Sequence, residues 1–511
     1  VTTVPYTAVN GTRKMLQRLN PNVDILLITQ IYALVAHALV HELDACILMR
    51  MDRSDVARID DFTWELPASA APDMRVPVRF LANEALLERI LLGPTANQII
   101  ETASLPGLVG HLMVMPDVSP GKGAPVGIVA VSKYPVGAIA PAAIGRDINT
   151  GVRLLGSSIR LSDVEGDLDN FHDALCEAIP CGDDAEGSLH LNKSEVDHVA
   201  QSGAQWALRS DMARQDDLVR AEEGGRLNES NPDKVSAAAR AAGARQLGTL
   251  GSGAHFIEVG VVEEVYNRAA GLTMGLRKGR LTVLIHCGSR GYGRQVCDDY
   301  IERFREAGPK HNTTPPSNDL SYMPLDVSEA DDYIGAMRAA ANYAYANRQV
   351  LAHRVRESAD DALGGLGDRL RTVYDVAHTL GHVEMHQVED HHARCFVHRK
   401  GAARAFGPGT PGISLPYRAL GQPVIVPGER NNTSFVMLAT RDSMQKSYGS
   451  ACHGAGRTIS AQEMSAQASL DASEGGVQTK DDVEAVVDTV VGAGLASKVA
   501  RIRPLSVVSS D

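Results

Sequence analysis

The chain has few cysteines, few aromatics and no excess of basic charge. Each shortage removes a class of explanation. Seven cysteines in 511 residues stand at 46, 176, 181, 287, 297, 395 and 452. None has CxxC spacing, so neither a cysteine zinc frame nor a secreted disulfide scaffold is expected, and a reducing cytoplasm is the expected compartment. The formal net charge is −12, so any contact with a nucleic acid must come from a local basic patch. No apolar run reaches the roughly 20 residues of a spanning helix. The longest candidate, ILLITQIYALVAHALV at 25–40, is shorter and contains Thr, Gln and His. No membrane association is expected from it, and no clean small-residue cleavage site follows it. Residues 1–50 are expected to be an N-terminal extension outside the fold, with the folded domain spanning 52–511.

Aromatics are only 5% of the chain against 47 glycines, so tight turns and close backbone approaches should be common. FTWELP reads as a strand, EALLERILLG and TANQIIETASLPG as helices. From 112 to 160, short β-branched runs are separated by Gly and Pro: MVMPDV, PVGIVAV and GVRLLGSSIRL read as strands. Helical spacing returns over 161–245. HFIEVGVVEEVY and LTVLIHCGSR then predict strands, and 328–360 predicts helix. Strands and loops are expected from 373 to about 460, a loose Ser/Ala/Gln/Gly-rich segment at 463–480, and a closing helix and strand. There are no repeats and no long linker. The fold class is α/β (α+β): one large domain of mixed sheets with surrounding helices.

The 17 histidines carry more chemistry than their number. His255 in LGSGAHFIEV, His286 in LTVLIHCGSRGYG, His378 in YDVAHTLGHVEMH and His453 in YGSACHGAGR sit beside glycines or at strand ends. Imidazoles so placed are a common ligand source for borderline divalent metals, and Asp147 in GRDINTG would add an oxygen. Singly, each is more often a satisfied core histidine. If HTLGHVEMH is helical, His382 and His386 share a face with His378 and read as plain polar face. GSRGYG (288–293) and CHGAGR (452–457) could expose backbone N–H groups and a guanidinium to a phosphate. HRKGAARAFGPG (398–409) groups Arg399, Lys400 and Arg404, as a basic patch or, by default, a solvated loop. A Zn²⁺ hydrolase built on three His and one Asp is a third chemistry, but it leaves the glycine–arginine motifs without a role.

Taken in order, GSGAHFIEV, HCGSRGYGRQVCDDY, YDVAHTLGHVE, VHRKGAARAFGPG, GQPVIVPG and GSACHGAGR resemble the RtcB family of RNA-splicing ligases. The resemblance begins near FTWELP and runs almost to the C-terminus. It implies a GTP- and Mn²⁺-dependent ligase joining RNA with a 2′,3′-cyclic phosphate or 3′-phosphate to RNA with a 5′-hydroxyl, through a histidine–GMP phosphoramidate. By position the nucleophile is His453. Asp147 and His255 would hold one Mn²⁺, and His286 and His378 the other. Nucleotide-contacting positions fall on Ala254, His255, Glu258, Glu429, Ser434 and the backbone at Gly454, Ala455 and Gly456. The implied partners are such RNA ends, GTP and an activating protein. The natural RNA and the oligomeric state are left open.

The departures from the family pattern cluster at the same site. The family's DINCG turn carries a cysteine thiolate that bridges both metals, and here that position is Thr150, whose neutral hydroxyl is a poor ligand. One metal rather than two is then an expectation. GSGNHF reads GSGAHF, with Ala254 for a phosphate-contacting Asn. PDGHxGYG reads PDVSPGKG, with Ser119 for the histidine. Glu429 stands where a serine meets guanine, and Ser509 where a lysine does. After CHGAGR the chain is about thirty residues short of the pattern, losing a guanine-stacking tyrosine. Two accounts compete. One is a ligase with a rebuilt site. The other is a ligase-fold protein that binds RNA ends or nucleotide without ligation. Cys287 is a candidate substitute for the bridging thiolate. Its place one residue after His286 in a strand argues against it, because neighbouring side chains point to opposite faces.

Overall fold

The computed structural model describes residues 51–253, 255–388, 390–428, 432–454 and 480–510. The chain divides into two units, residues 1–50 and Met51–Asp511, and all described residues belong to the second. The apolar run at 25–40, the expected N-terminal extension and nearly all of the loose segment after 463 lie outside the described residues. Among the described residues, no helix is long and apolar enough to cross a membrane.

Two seven-stranded sheets form the frame. The first comprises β1 (Ala57–Arg58), β2 (Thr63–Leu66), β3 (Val78–Leu81), β4 (Leu112–Ser119), β5 (Val126–Lys133), β12 (Thr379–Val388) and β13 (His391–Lys400), in the order β1-β2-β3-β4-β5-β13-β12. The second comprises β7 (Gly151–Arg160), β8 (Phe256–Val265), β9 (Arg280–Cys287), β11 (Leu370–Ala377), β15 (Pro423–Val426), β16 (Ser434–Ala439) and β18 (Ala496–Val508), in the order β11-β7-β9-β8-β18-β16-β15. Two short ladders pair β6 (Ala138–Ile139) with β10 (Met323–Pro324), and β14 (Ala402–Arg404) with β17 (Ser450–Cys452). The β3–β4 pair is parallel. Its crossover carries the helices Glu84–Leu92 and Ala96–Ala103, as a parallel pair requires. Asn83 starts the first of these by accepting from Leu86 N–H, which satisfies one orphan donor of the first turn.

Period-two alternation decides which side chains of the second sheet face which layer. Leu281, Val283, Ile285 and Cys287 of β9 pack with Leu351, Ala352 and Val355 of the helix Ser328–Ala362 and with Phe171 and Leu175 of the helix Leu168–Ala178. The alternate face carries Leu284, Val152, Phe256, Val436 and Ile502. His286 follows the second set in register. Elsewhere Val424, Val426, Phe435 and Met437 of β15 and β16 pack with Met113, Val129 and Val397 of the first sheet. The 35-residue helix Ser328–Ala362 is buried on nearly every side through its middle. From this helix Asn347 and Arg348 donate to Thr249 O, Asn149 O and Cys287 O at one end of the second sheet.

Candidate active site

Each proposed donor stands at a strand end, and the sheet order brings those ends together. Asp147 and Thr150 lie in the turn before β7, His255 immediately before β8, His286 near the end of β9 and His378 immediately after β11. In an antiparallel sheet the start of one strand lies beside the end of its neighbour. Ala377 pairs with Gly151, Gly151 with Cys287, and Phe256 with His286. Four sequence-distant donors therefore meet on one edge. β17 leads directly into His453, whose ring centroid lies 4.7 Å from that of His378.

The donors form two facing pairs. Asp147 Oδ2 lies 2.8 Å from His255 Nε2. Its other oxygen, Oδ1, accepts from Ser289 N–H at 2.7 Å, Ser289 Oγ at 2.9 Å and Arg290 N–H at 3.1 Å. The start of the helix Arg290–Ala307 is thereby filled by a carboxylate of the chain itself. GSRGYG is thus not an open phosphate cradle, and Arg290 is turned to Thr249 Oγ1 and Gly182 O. Burial alone would raise the Asp147 carboxyl, but the His255 imidazolium and Arg290 hold it down at about 2. Burial would likewise lower His255, yet Cys287 and Asp147 outweigh it and bring the imidazole up to about 9. In the second pair, His286 Nε2 and His378 Nε2 are 2.8 Å apart. Thr379 Oγ1, 3.1 Å from His378 Nδ1, holds that ring from behind. Burial first, then repulsion from His453 and His286, drives His378 well below the ordinary imidazole range. A neutral imidazole is the form that ligates metals.

Thr150 does not present an anion between the pairs. Its Oγ1 donates to Asp147 O at 2.8 Å, closing the turn on itself. A Cβ at Gly288 would lie 2.4 Å from Asp147 Oδ1 and 2.6 Å from Thr150 Oγ1, so a glycine is needed there for the turn to approach β9. Cys287 does not take over as bridge. Its Sγ lies 3.9 Å from Nδ1 of His255, on the far side of that ring from Asp147, and accepts from Asn347 Nδ2 at 3.3 Å. Burial would raise its thiol, but the His255 charge brings it down overall.

Among the described residues, no group of three or more His, Cys, Asp or Glu side chains is placed to hold a metal ion. The residues present fit a divalent ion only as paired half-sites, Asp147 with His255 and His286 with His378. Substrate phosphates and water would have to complete the shell, as they commonly do for hard cations in phosphoryl-transfer sites.

Asp117, in β4, is the site residue that sequence reasoning missed. Its Oδ2 lies 2.9 Å from His453 Nδ1 and accepts from the backbone N–H of His453 at 3.2 Å and of Gly454 at 3.1 Å. A carboxylate against Nδ1 holds an imidazole so that Nε2 is left to react, as in other His–Asp couples. The available signal was a lone acid in the apolar run MVMPDV. A Cβ at Gly401 would lie 3.1 Å from His453 Cε1, and Gly401 has φ of +64°. That glycine explains part of the HRKGA motif.

The rest of that motif is not the solvated loop or basic patch expected from the sequence. Arg399 donates through Nη1 and Nη2 to the two oxygens of Glu384, both at 2.8 Å, and through Nε to Ser450 Oγ. Arg404 pairs with Glu222 at 2.8 Å and Glu223 at 2.7 Å. Arg399 lies in β13 and Arg404 in β14, the strand paired with β17. HTLGHVEMH is strand rather than helix. His386 Nε2 lies 2.7 Å from Glu384 Oε2, within the same ionic group.

Glu258 and Ser434 also meet: Ser434 Oγ donates to Glu258 Oε1 at 3.2 Å and accepts from Gly428 N–H at 3.0 Å. They share the sheet face of His286. Glu258 is about 10 Å from His255 along β8, at about 3.3 Å per residue. Ala254, Glu429, Ala455 and Gly456 lie outside the described residues.

Residues 98–481 match the family model described as RtcB: tRNA-splicing ligase RtcB. A tRNA-splicing ligase RtcB of Archaeoglobus fulgidus is 39% identical over 474 residues, covering 88% of this chain and 98% of the relative. That of Thermococcus kodakarensis is 38% identical over 472 residues, with 88% and 98% covered. The RNA-splicing ligase RtcB homolog 1 of Entamoeba histolytica is 36% identical over 455 residues, with 84% and 86% covered.

Proposed function

The chain belongs to the RtcB family, and from that membership we propose that it is an RNA ligase joining 2′,3′-cyclic phosphate or 3′-phosphate ends to 5′-hydroxyl ends with GTP. His453 is the nucleophile. Its Nε2 attacks the α-phosphorus of GTP, a P–N bond forms, and pyrophosphate leaves with the broken P–O bond. Where the end is cyclic, water first breaks its P–O2′ bond and leaves a 3′-phosphate and a 2′-hydroxyl; an oxygen of the 3′-phosphate then takes the GMP group from His453. The 5′-hydroxyl attacks that activated phosphate, and GMP departs as the 3′,5′-linkage closes. Asp117 holds the His453 ring through Nδ1. Glu258, held by the Ser434 hydroxyl, would accept from guanine N–H groups. Asp147 with His255, and His286 with His378, would hold Mn²⁺, which when bound neutralises phosphate oxygens. The single observation that carries the reading is His453, backed by Asp117, beside the facing His286–His378 pair.

One observation favours the second reading, a family member that binds RNA ends or nucleotide without joining them: the Thr150 hydroxyl is spent on the Asp147 carbonyl and offers no anion to a second ion. Self-guanylylation separates the two. Purified protein is incubated with α-labelled GTP and Mn²⁺, denatured without acid, and compared with His453→Ala. Label on the parent and none on the variant is expected. An unlabelled parent, under conditions that label an intact family member, would rule out the ligase mechanism and leave binding without chemistry.

A further inference from the structure

We propose that a basic pocket at the opposite end of β7 and β9 from the donors binds backbone phosphates of the RNA substrate's body, away from the ends being joined. The proposal rests on the RNA-ligase reading above. The pocket has a volume of about 530 Å³ and is lined by Arg160, Ser162, Glu165, Arg277, Lys278 and Arg280 among others. Four cations face one carboxylate. Arg160, Arg277 and Lys278 are exposed, and their side chains enter no ion pair or hydrogen bond among the described residues. Arg280 is anchored by donating to Ser158 O, which holds one wall of the pocket in place.

The sheet register sets the pocket's distance from the site. Arg160 pairs with Arg280 at one end of the β7–β9 ladder, and Gly151 with Cys287 at the other. Along β9, Arg280 and His286 are six residues apart, which places the pocket about 20 Å from the donors at about 3.3 Å per residue. A structured RNA held by its end at His453 extends well beyond that distance, whereas a few nucleotides do not. The formal net charge of −12 repels a polyanion at long range, so RNA can be held only where cations are concentrated and unpaired. An acidic protein surface would find the same charges. A concave pocket lined by guanidinium groups, on an RNA ligase, suits phosphates better.

The test uses the full chain and two RNAs with identical reacting ends. One is a trinucleotide. The other is a hairpin with an A-form stem of about 15 base pairs, longer than the distance from the site to the pocket. The parent is expected to bind the hairpin more tightly than the trinucleotide, with a steeper salt dependence. In the double variant Arg277→Gln, Lys278→Gln the hairpin-to-trinucleotide affinity ratio is expected to fall about tenfold, and the salt slope for the hairpin by about 2. These side chains are exposed, so circular dichroism of the variant should match the parent. An unchanged ratio and slope overturn the proposal and leave the pocket to an acidic protein partner. A parent that binds neither RNA overturns it together with the RNA-ligase reading. A parent that binds the trinucleotide and gains nothing from the stem overturns the pocket alone.

Discussion

At the scale of single residues, the site depends on what each donor's second atom does. Asp147 commits Oδ1 to the start of a helix and keeps Oδ2 for His255. His378 rests Nδ1 against Thr379, and His453 rests Nδ1 against Asp117. Thr150 has a single oxygen, and its proton goes to a carbonyl. Asp117 is the most exacting of these positions, because an amide in its place can present N–H to Nδ1 and select the wrong tautomer. In Asp117→Asn the rate of His453 labelling at saturating GTP is expected to fall by about 100-fold or more. A rapid-quench time course of covalent label checks this, and a variant within a factor of two of the parent would remove Asp117 from the mechanism.

At the scale of elements, strand ends and the turns between them carry the chemistry, and glycine makes the approach possible. Gly288 links β9 to the helix Arg290–Ala307, and the Asp147 turn leaves no room there for a Cβ. Gly288→Ala is expected to weaken Mn²⁺ binding strongly, because the added methyl must push Asp147 and Thr150 away from His255. The overpacking itself costs about 1–3 kcal/mol, so the fold should persist. Calorimetric titration with Mn²⁺ and thermal unfolding of the same variant separate these effects. Equal Mn²⁺ affinity in parent and variant would show that the turn is not a metal-holding element. The sequence was ambiguous at HTLGHVEMH for a definite reason. Residues four apart share a face in a helix and also in a strand, where every second residue does. The buried cations of HRKGAARAFGPG misled because their partners, Glu222, Glu223 and Glu384, come from other elements.

At the scale of the whole molecule, buried charge ties distant layers together. Asp217 accepts from Arg356 Nη2 at 2.6 Å and Nη1 at 2.9 Å, and from Thr372 Oγ1 at 2.6 Å. These contacts join a short helix, the long helix and β11. Burial alone would raise the Asp217 carboxyl, but Arg356, Arg153 and Thr372 hold it far below the usual carboxylate range. A depressed folded pKa contributes stability that is full above the unfolded value of about 3.9 and is lost as pH falls toward the folded one. Asp217→Asn is expected to cost about 3–5 kcal/mol at neutral pH, since Arg356 is left buried without its partner. The gap between parent and variant should narrow by about 1 kcal/mol between pH 4 and pH 3. Urea unfolding across that range checks it, and a gap independent of pH would show that the carboxylate charge is not what matters.

The sequence by itself determined the family, the α/β class and the main strands and helices, and it singled out His453, Asp147, His255, His286 and His378 as the candidates that the fold brings together. Those features reside in local spacing and in motifs a few residues long, where periodicity and glycine positions act directly. Tertiary structure alone decided that His286 faces His378 and Asp147 faces His255, that Cys287 sits behind His255, and that Asp117 backs His453, 336 residues away. Those pairings follow from the strand order β11-β7-β9-β8 and its register. Such an order is set by non-local hydrogen bonding and by which apolar faces must be buried together, and no short stretch of chain encodes it.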